Sequence, residues 1–134
     1  MKLSIARKIL WVGEFTGNDQ EELKKQGLIV VESLEKVSNI KLEGLVAFQF
    51  VVINVPFTEG EYLGIKEEGK EKAGIEEKLP GRVIVLTDTQ NPKIGFNPRI
   101  VEADAADMSK DTVQDMMKWC WHKWLVARNG NVDM

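Results

Sequence analysis

The chain has 134 residues, a formal net charge of -3 and 29% charged residues. That length suits one domain with a single core, and an acidic balance without a basic stripe argues against a nucleic-acid surface. Its one cysteine cannot form an internal disulfide, and no stretch approaches the roughly 18 apolar residues a membrane span requires.

The residues from Met1 to Lys8 have no long apolar run after their charges, unlike a secretory signal. The expectation is a cytoplasmic globular chain, with 1–134 as one domain. Lys8 to Val12 reads as the first strand. Thr16-Gly-Asn-Asp19 turns into a short helix from Asp19 to Gln26, capped by Asn18 or Asp19. Gly27 ends that helix, because a residue without Cβ takes the left-handed conformation readily. Leu28 to Val31 is a second strand. A helical segment opens at Ser33, with Leu34, Val37, Lys41 and Leu45 on one face and an interruption near Ser38 and Asn39.

Phe48 to Ile53 is a continuous, largely β-branched and aromatic run, the pattern of a strand buried on both faces of a parallel sheet. The stretch from Thr58 to Pro80 is dense in Lys and Glu. It reads as a helix from Gly60 or Tyr62 to Lys78, weakened by Gly64, Gly69 and Gly74, each costing about 1 kcal/mol relative to Ala. Arg82 to Leu86 is a fourth strand. Two prolines, a glycine and two asparagines between Asp88 and Pro98 predict a short or irregular crossover. Arg99 to Ala103 is the last strand, and a closing helix runs from near Ser109 to about Arg128.

This order predicts a three-layer α/β fold: five parallel strands in the order 2-1-3-4-5 with helices on both faces. In such a sheet ligands gather beyond the carboxyl ends of the strands. Glu14, Asn54 and Thr87 stand at three of those ends and should be neighbours.

The strand ends resemble the receiver domains of two-component response regulators. The matching residues are Leu42-Glu-Gly-Leu45, Phe48-Gln-Phe-Val-Val-Ile-Asn54, Val83-Ile-Val-Leu-Thr87, and Leu28 to Glu32 followed by Ser33-Leu-Glu-Lys36. The resemblance implies the flavodoxin-like receiver fold and places Thr87 at the switch threonine. It places Asn54 at the phospho-acceptor aspartate and Gly13-Glu14 at the acidic pair that holds Mg²⁺. The lysine expected after the fifth strand has no match beyond a displaced Lys110. An amide is a far poorer nucleophile than a carboxylate, so the resemblance implies a pseudo-receiver. Such a module is not an enzyme, holds no cofactor, and works through protein contacts.

A second resemblance uses the same ends. Glu14-Phe-Thr-Gly-Asn-Asp19 is similar to the phosphate loop of flavodoxins, which makes Thr16, Gly17 and Asn18 a candidate anion-binding loop for FMN. Phe57, Tyr62 or Trp11 would then have to stack on the flavin. Glu14 and Asp19 stand where hydroxyls would meet the phosphate, and carboxylates repel a dianion. The same residues also suit ordinary turn chemistry ahead of a helix cap.

The last helix gathers Val113, Met116, Met117, Cys120, Trp121, Trp124 and Leu125 on one face, expected to pack on the sheet. Cys120 then fills the core as a small hydrophobe. Trp119 lies about 140° from the centre of that face at 100° per residue, beside His122 and Val126. Trp119, His122 and Val126 are therefore the candidate interface for a protein partner or a second copy of the chain.

Overall fold

The computed structural model describes residues 8–38, 48–78, 83–87, 100–104 and 111–129. Along the chain run β1 (Lys8–Gly13), α1 (Gln20–Gln26), β2 (Leu28–Val31), α2 (Leu34–Ser38), β3 (Phe48–Asn54) and α3 (Glu59–Leu63). They are followed by β4 (Gly64–Glu67), β5 (Lys70–Ala73), α4 (Ile75–Lys78), β6 (Val83–Leu86), β7 (Ile100–Glu102) and α5 (Val113–Asn129).

Five of the strands form one parallel sheet in the order β2-β1-β3-β6-β7. Counted along the chain within that sheet, this is the expected 2-1-3-4-5. The apolar runs become its centre, because β1 and β6 are buried on both faces almost throughout. Alternation then divides the core in two. Ile9, Trp11, Phe50, Val52, Val83, Val85 and Val101 face α1 and α5, whereas Leu10, Val12, Val51, Ile53, Ile84 and Leu86 face α2, α3 and α4. Helices cover both faces, and the architecture is a three-layer α/β sandwich.

Local chemistry sets where the elements stop. Gly27 closes α1 at φ 124°, and its N–H reaches the carbonyls of Leu23 and Lys24. Asp19 holds the N-cap position in the left-handed region (φ 54°, ψ 49°) and makes no side-chain cap bond. Thr58 closes a reciprocal capping box on α3: its Oγ1 accepts from the Glu61 N–H at 3.1 Å, and Glu61 accepts from the Thr58 N–H at 2.8 Å.

The long helix expected between Gly60 and Lys78 is replaced by α3, an antiparallel β4–β5 hairpin and α4. The glycines explain the difference. Gly69 sits at the hairpin turn at φ 77°, and a Cβ on Gly74 would collide with the backbone of Gly64 and Tyr62. Three interior glycines would cost a helix about 3 kcal/mol relative to alanine. Placed at a turn and at the two sides of the hairpin base, the same residues permit the close backbone approach. Glu67 lies opposite Lys70 in the register, so the charge run serves an exposed hairpin instead of a helix face.

The remaining strands agree with the expected positions to within a residue or two. Lys41 and Leu45, the interruption at Asn39, the crossover 88–98, Lys110 and the expected start of the last helix near Ser109 lie outside the described residues. Among those described, no helix is long and apolar enough to cross a membrane.

Candidate functional site

The carboxyl ends of β1, β3 and β6 meet around the side chain of Asn54. Gly13 ends β1 at φ 110°, where an L side chain would be strained, and the chain turns so that the Glu14 carbonyl points across the rim. That carbonyl accepts two hydrogen bonds of 2.8 Å, one from Trp11 Nε1 and one from Asn54 Nδ2. A carbonyl oxygen has two lone pairs, so Glu14 O is saturated. On its other side Asn54 Oδ1 accepts from the Thr87 hydroxyl at 2.5 Å. Thr87 is itself buried and anchored through its backbone N–H to Ile53 O at 3.1 Å.

Glu14, Asn54 and Thr87 are thus brought together, in one chain of hydrogen bonds that ties β6 to β3 and β3 to the loop after β1. The direction of that chain explains the residue. Position 54 must donate toward a carbonyl and accept from a hydroxyl at once, which an amide does and an ionised carboxylate does not. The role of Glu14 lies in its backbone oxygen, and its carboxylate is exposed. Trp11 was not singled out as a rim donor from the sequence. Its signal is a lone indole in an aliphatic strand, three residues before the turn whose carbonyl it caps.

The Thr16, Gly17 and Asn18 loop follows directly. Thr16 and Asn18 are exposed, Gly17 is half-buried beneath the Phe15 ring, and Phe15 packs edge-on to Trp11 with centroids 5.1 Å apart. The loop leads into Asp19 and a seven-residue α1 whose first turn carries Glu21 and Glu22. Three carboxylates thus crowd the helix start, where an incoming anion would meet like charge. The flavin-stacking candidates are committed elsewhere: Trp11 and Tyr62 are fully buried, and Phe57 stacks on Tyr62 at 5.5 Å. Among the described residues, no three His, Cys, Asp or Glu side chains gather closely enough to hold a metal ion.

The candidate interface on α5 needs a correction. Trp119 is buried at 7% exposure with Val113, Met116, Met117 and Cys120, whereas Trp121, assigned above to the core, is 45% exposed. Leu125 also turns outward, and Trp124 is half-buried. Trp119 and Trp121 lie about 110° and about 90° to either side of the centre of Val113, Met116, Met117 and Cys120 at 100° per residue, so periodicity alone does not choose between them. The sheet chooses: Trp119 joins the core under the helix, and Trp121 is left at the rim, edge-on to Phe50 at 6.4 Å. The Trp119 N–H is buried and finds no acceptor among the described residues. That costs about 1–3 kcal/mol, less than the roughly 4–5 kcal/mol gained by burying an indole. His122 and Val126 are exposed, as expected.

Cys120 is fully buried, and burial pushes its thiol well above the ordinary range. The thiolate is the reactive form, so native protein at pH 8 should not react with an aromatic disulfide reagent, and one thiol should titrate after unfolding in guanidinium. Rapid release of the chromophore from folded protein would contradict this burial.

Compared with protein-family models, curated proteins and solved structures, the chain matches none of them.

Proposed function

We propose that this chain is a pseudo-receiver: a receiver-like domain without phosphoryl chemistry that acts by binding a protein partner. One observation carries the reading. The side chain at the acceptor position is an amide, and both of its ends are engaged, Nδ2 by Glu14 O and Oδ1 by Thr87. An acyl phosphate requires an anionic carboxylate oxygen to attack phosphorus. Asn54 supplies no such charge, and its hydrogen bonds to Glu14 O and Thr87 tie it into the rim. What remains for function is surface, and the exposed side of α5 offers a cluster of large apolar groups. A reducing, cytoplasmic setting suits a chain whose single thiol is buried.

Incubated with acetyl phosphate and Mg²⁺, the full chain should keep its unmodified intact mass. A species heavier by one phosphoryl group, discharged by hydroxylamine, would overturn the proposal. The same preparation should leave FMN fluorescence unchanged at micromolar protein. Saturable quenching there would move the assignment to a flavin carrier.

A further inference from the structure

Beyond the interaction role, we infer that the β4–β5 hairpin is a proteolytic processing site, cut after Lys70 by a lysine-directed protease while the domain stays folded. Every residue from Glu67 to Ala73 is exposed, so β5 is open to solvent on both faces. Among the described residues, β5 pairs with β4 alone, and no residue from 64 to 73 joins either core cluster. A two-stranded ribbon without a buried face is marginally stable by itself. It opens locally far more often than the sheet unfolds.

The position of the cut follows from what a protease must hold. It binds its substrate as an extended strand of roughly seven residues, about four before the cut bond and three after it. Around Lys70 that stretch is 67–73, which lies wholly within the exposed ribbon. Lys70 is the only described basic residue for which this is so. The same stretch would draw buried Leu23 from the core at Lys24, Val37 at Lys36, Ile75 at Lys72 and Cys120 at Lys118. A specificity pocket floored by a carboxylate accepts the Lys70 ammonium. Water then adds across the Lys70–Glu71 C–N bond, leaving a carboxylate on Lys70 and an ammonium on Glu71.

The cut releases neither half. Residues 1–70 carry β1, β2 and β3, and residues 71–134 carry β6, β7 and α5. β6 lies beside β3 in parallel register, from Phe50 opposite Val83 to Ile53 opposite Leu86. Tyr62 and Ile75, on opposite sides of the cut, share one core cluster. Trp119 and Cys120 of α5 share the other with Ile9 and Trp11 of β1. At the neck a Cβ on Gly74 would meet the backbone of Gly64 and Tyr62, so the two strands leave the body side by side. What the cut changes is the ribbon, whose strands lose the turn that joins them.

The test is limited proteolysis of the full chain with a trace of trypsin at pH 8, read by intact mass over time. The first products should be 1–70 and 71–134, and they should elute together from a sizing column at the mass of the uncut chain. Lys70→Gln should slow that first step about tenfold or more and leave the melting temperature unchanged, because the side chain is exposed. The initial rate should stay nearly constant up to about 1 M urea, since opening the ribbon exposes little new surface, whereas cutting through global unfolding would accelerate about tenfold. Four results would each overturn the inference: a first cut at another residue, a first step that Lys70→Gln leaves intact, fragments that separate under native conditions, or an initial rate that climbs steeply with urea. None of them bears on the phosphorylation assay, so the pseudo-receiver reading stands or falls separately.

Discussion

Gly13→Ala should lower the stability of the fold by roughly 3–4 kcal/mol, combining backbone strain with overpacking. At φ 110° an alanine enters a region that L residues rarely adopt, and its Cβ would overlap the Asn54 carbonyl while lying 2.8 Å from Val55 Cγ1. Neither neighbour yields easily, because Asn54 is fixed by hydrogen bonds on both sides and Val55 packs on the core. A domain of this size has about 5–15 kcal/mol in hand, so the variant should fold with a much lower urea midpoint. Gly69→Ala is the matched control. Its φ of 77° is also positive, but a Cβ there meets nothing within 4 Å. Its cost should stay near 1 kcal/mol. Equal midpoints for the two variants would show that the close approach of β1 to β3 does not constrain the rim.

Asn54→Asp should cost about 2 kcal/mol at neutral pH and gain no phosphorylation. The substitution keeps shape and removes a donor, so the new carboxylate faces the lone pairs of Glu14 O across what was a 2.8 Å hydrogen bond. Thr87 can still donate, which confines the loss to one side of the clamp. Acid should restore part of the stability. A protonated carboxyl can donate to Glu14 O in place of the amide, so the deficit is largest where the carboxyl is ionised and shrinks as the pH falls. Urea titrations at pH 7 and pH 4.5 check the sign, and a deficit that grows in acid would refute the donor argument. Phosphorylation of the variant should still fail, because Gly13 stands where the resemblance calls for a second acidic metal ligand. Mass spectrometry after acetyl phosphate treatment reads this directly.

The α/β architecture and the meeting of Glu14, Asn54 and Thr87 were legible in the sequence for a simple reason. Runs such as Phe48 to Ile53 are apolar on both faces, and only a covered parallel sheet buries both. Once the strands are parallel, their carboxyl ends share one rim, and the residues that follow them become neighbours. Gly27 was equally readable, since a helix end calls for the left-handed conformation locally. These signals are contained in a few consecutive residues.

The features that only the tertiary structure decided depend on contacts between distant segments. Gly64, Gly69 and Gly74 weaken a helix and permit a hairpin alike, and what selects the hairpin is the approach of Gly74 to Tyr62 and Gly64. Trp119 and Trp121 sit almost symmetrically about one helix face, so their burial was settled by how α5 lies on the sheet. The direction of the Asn54 bonds depends on a carbonyl forty residues away. Periodicity and composition describe a residue's own neighbourhood along the chain, and they carry no information on which lone pair or which ring edge another segment brings to it.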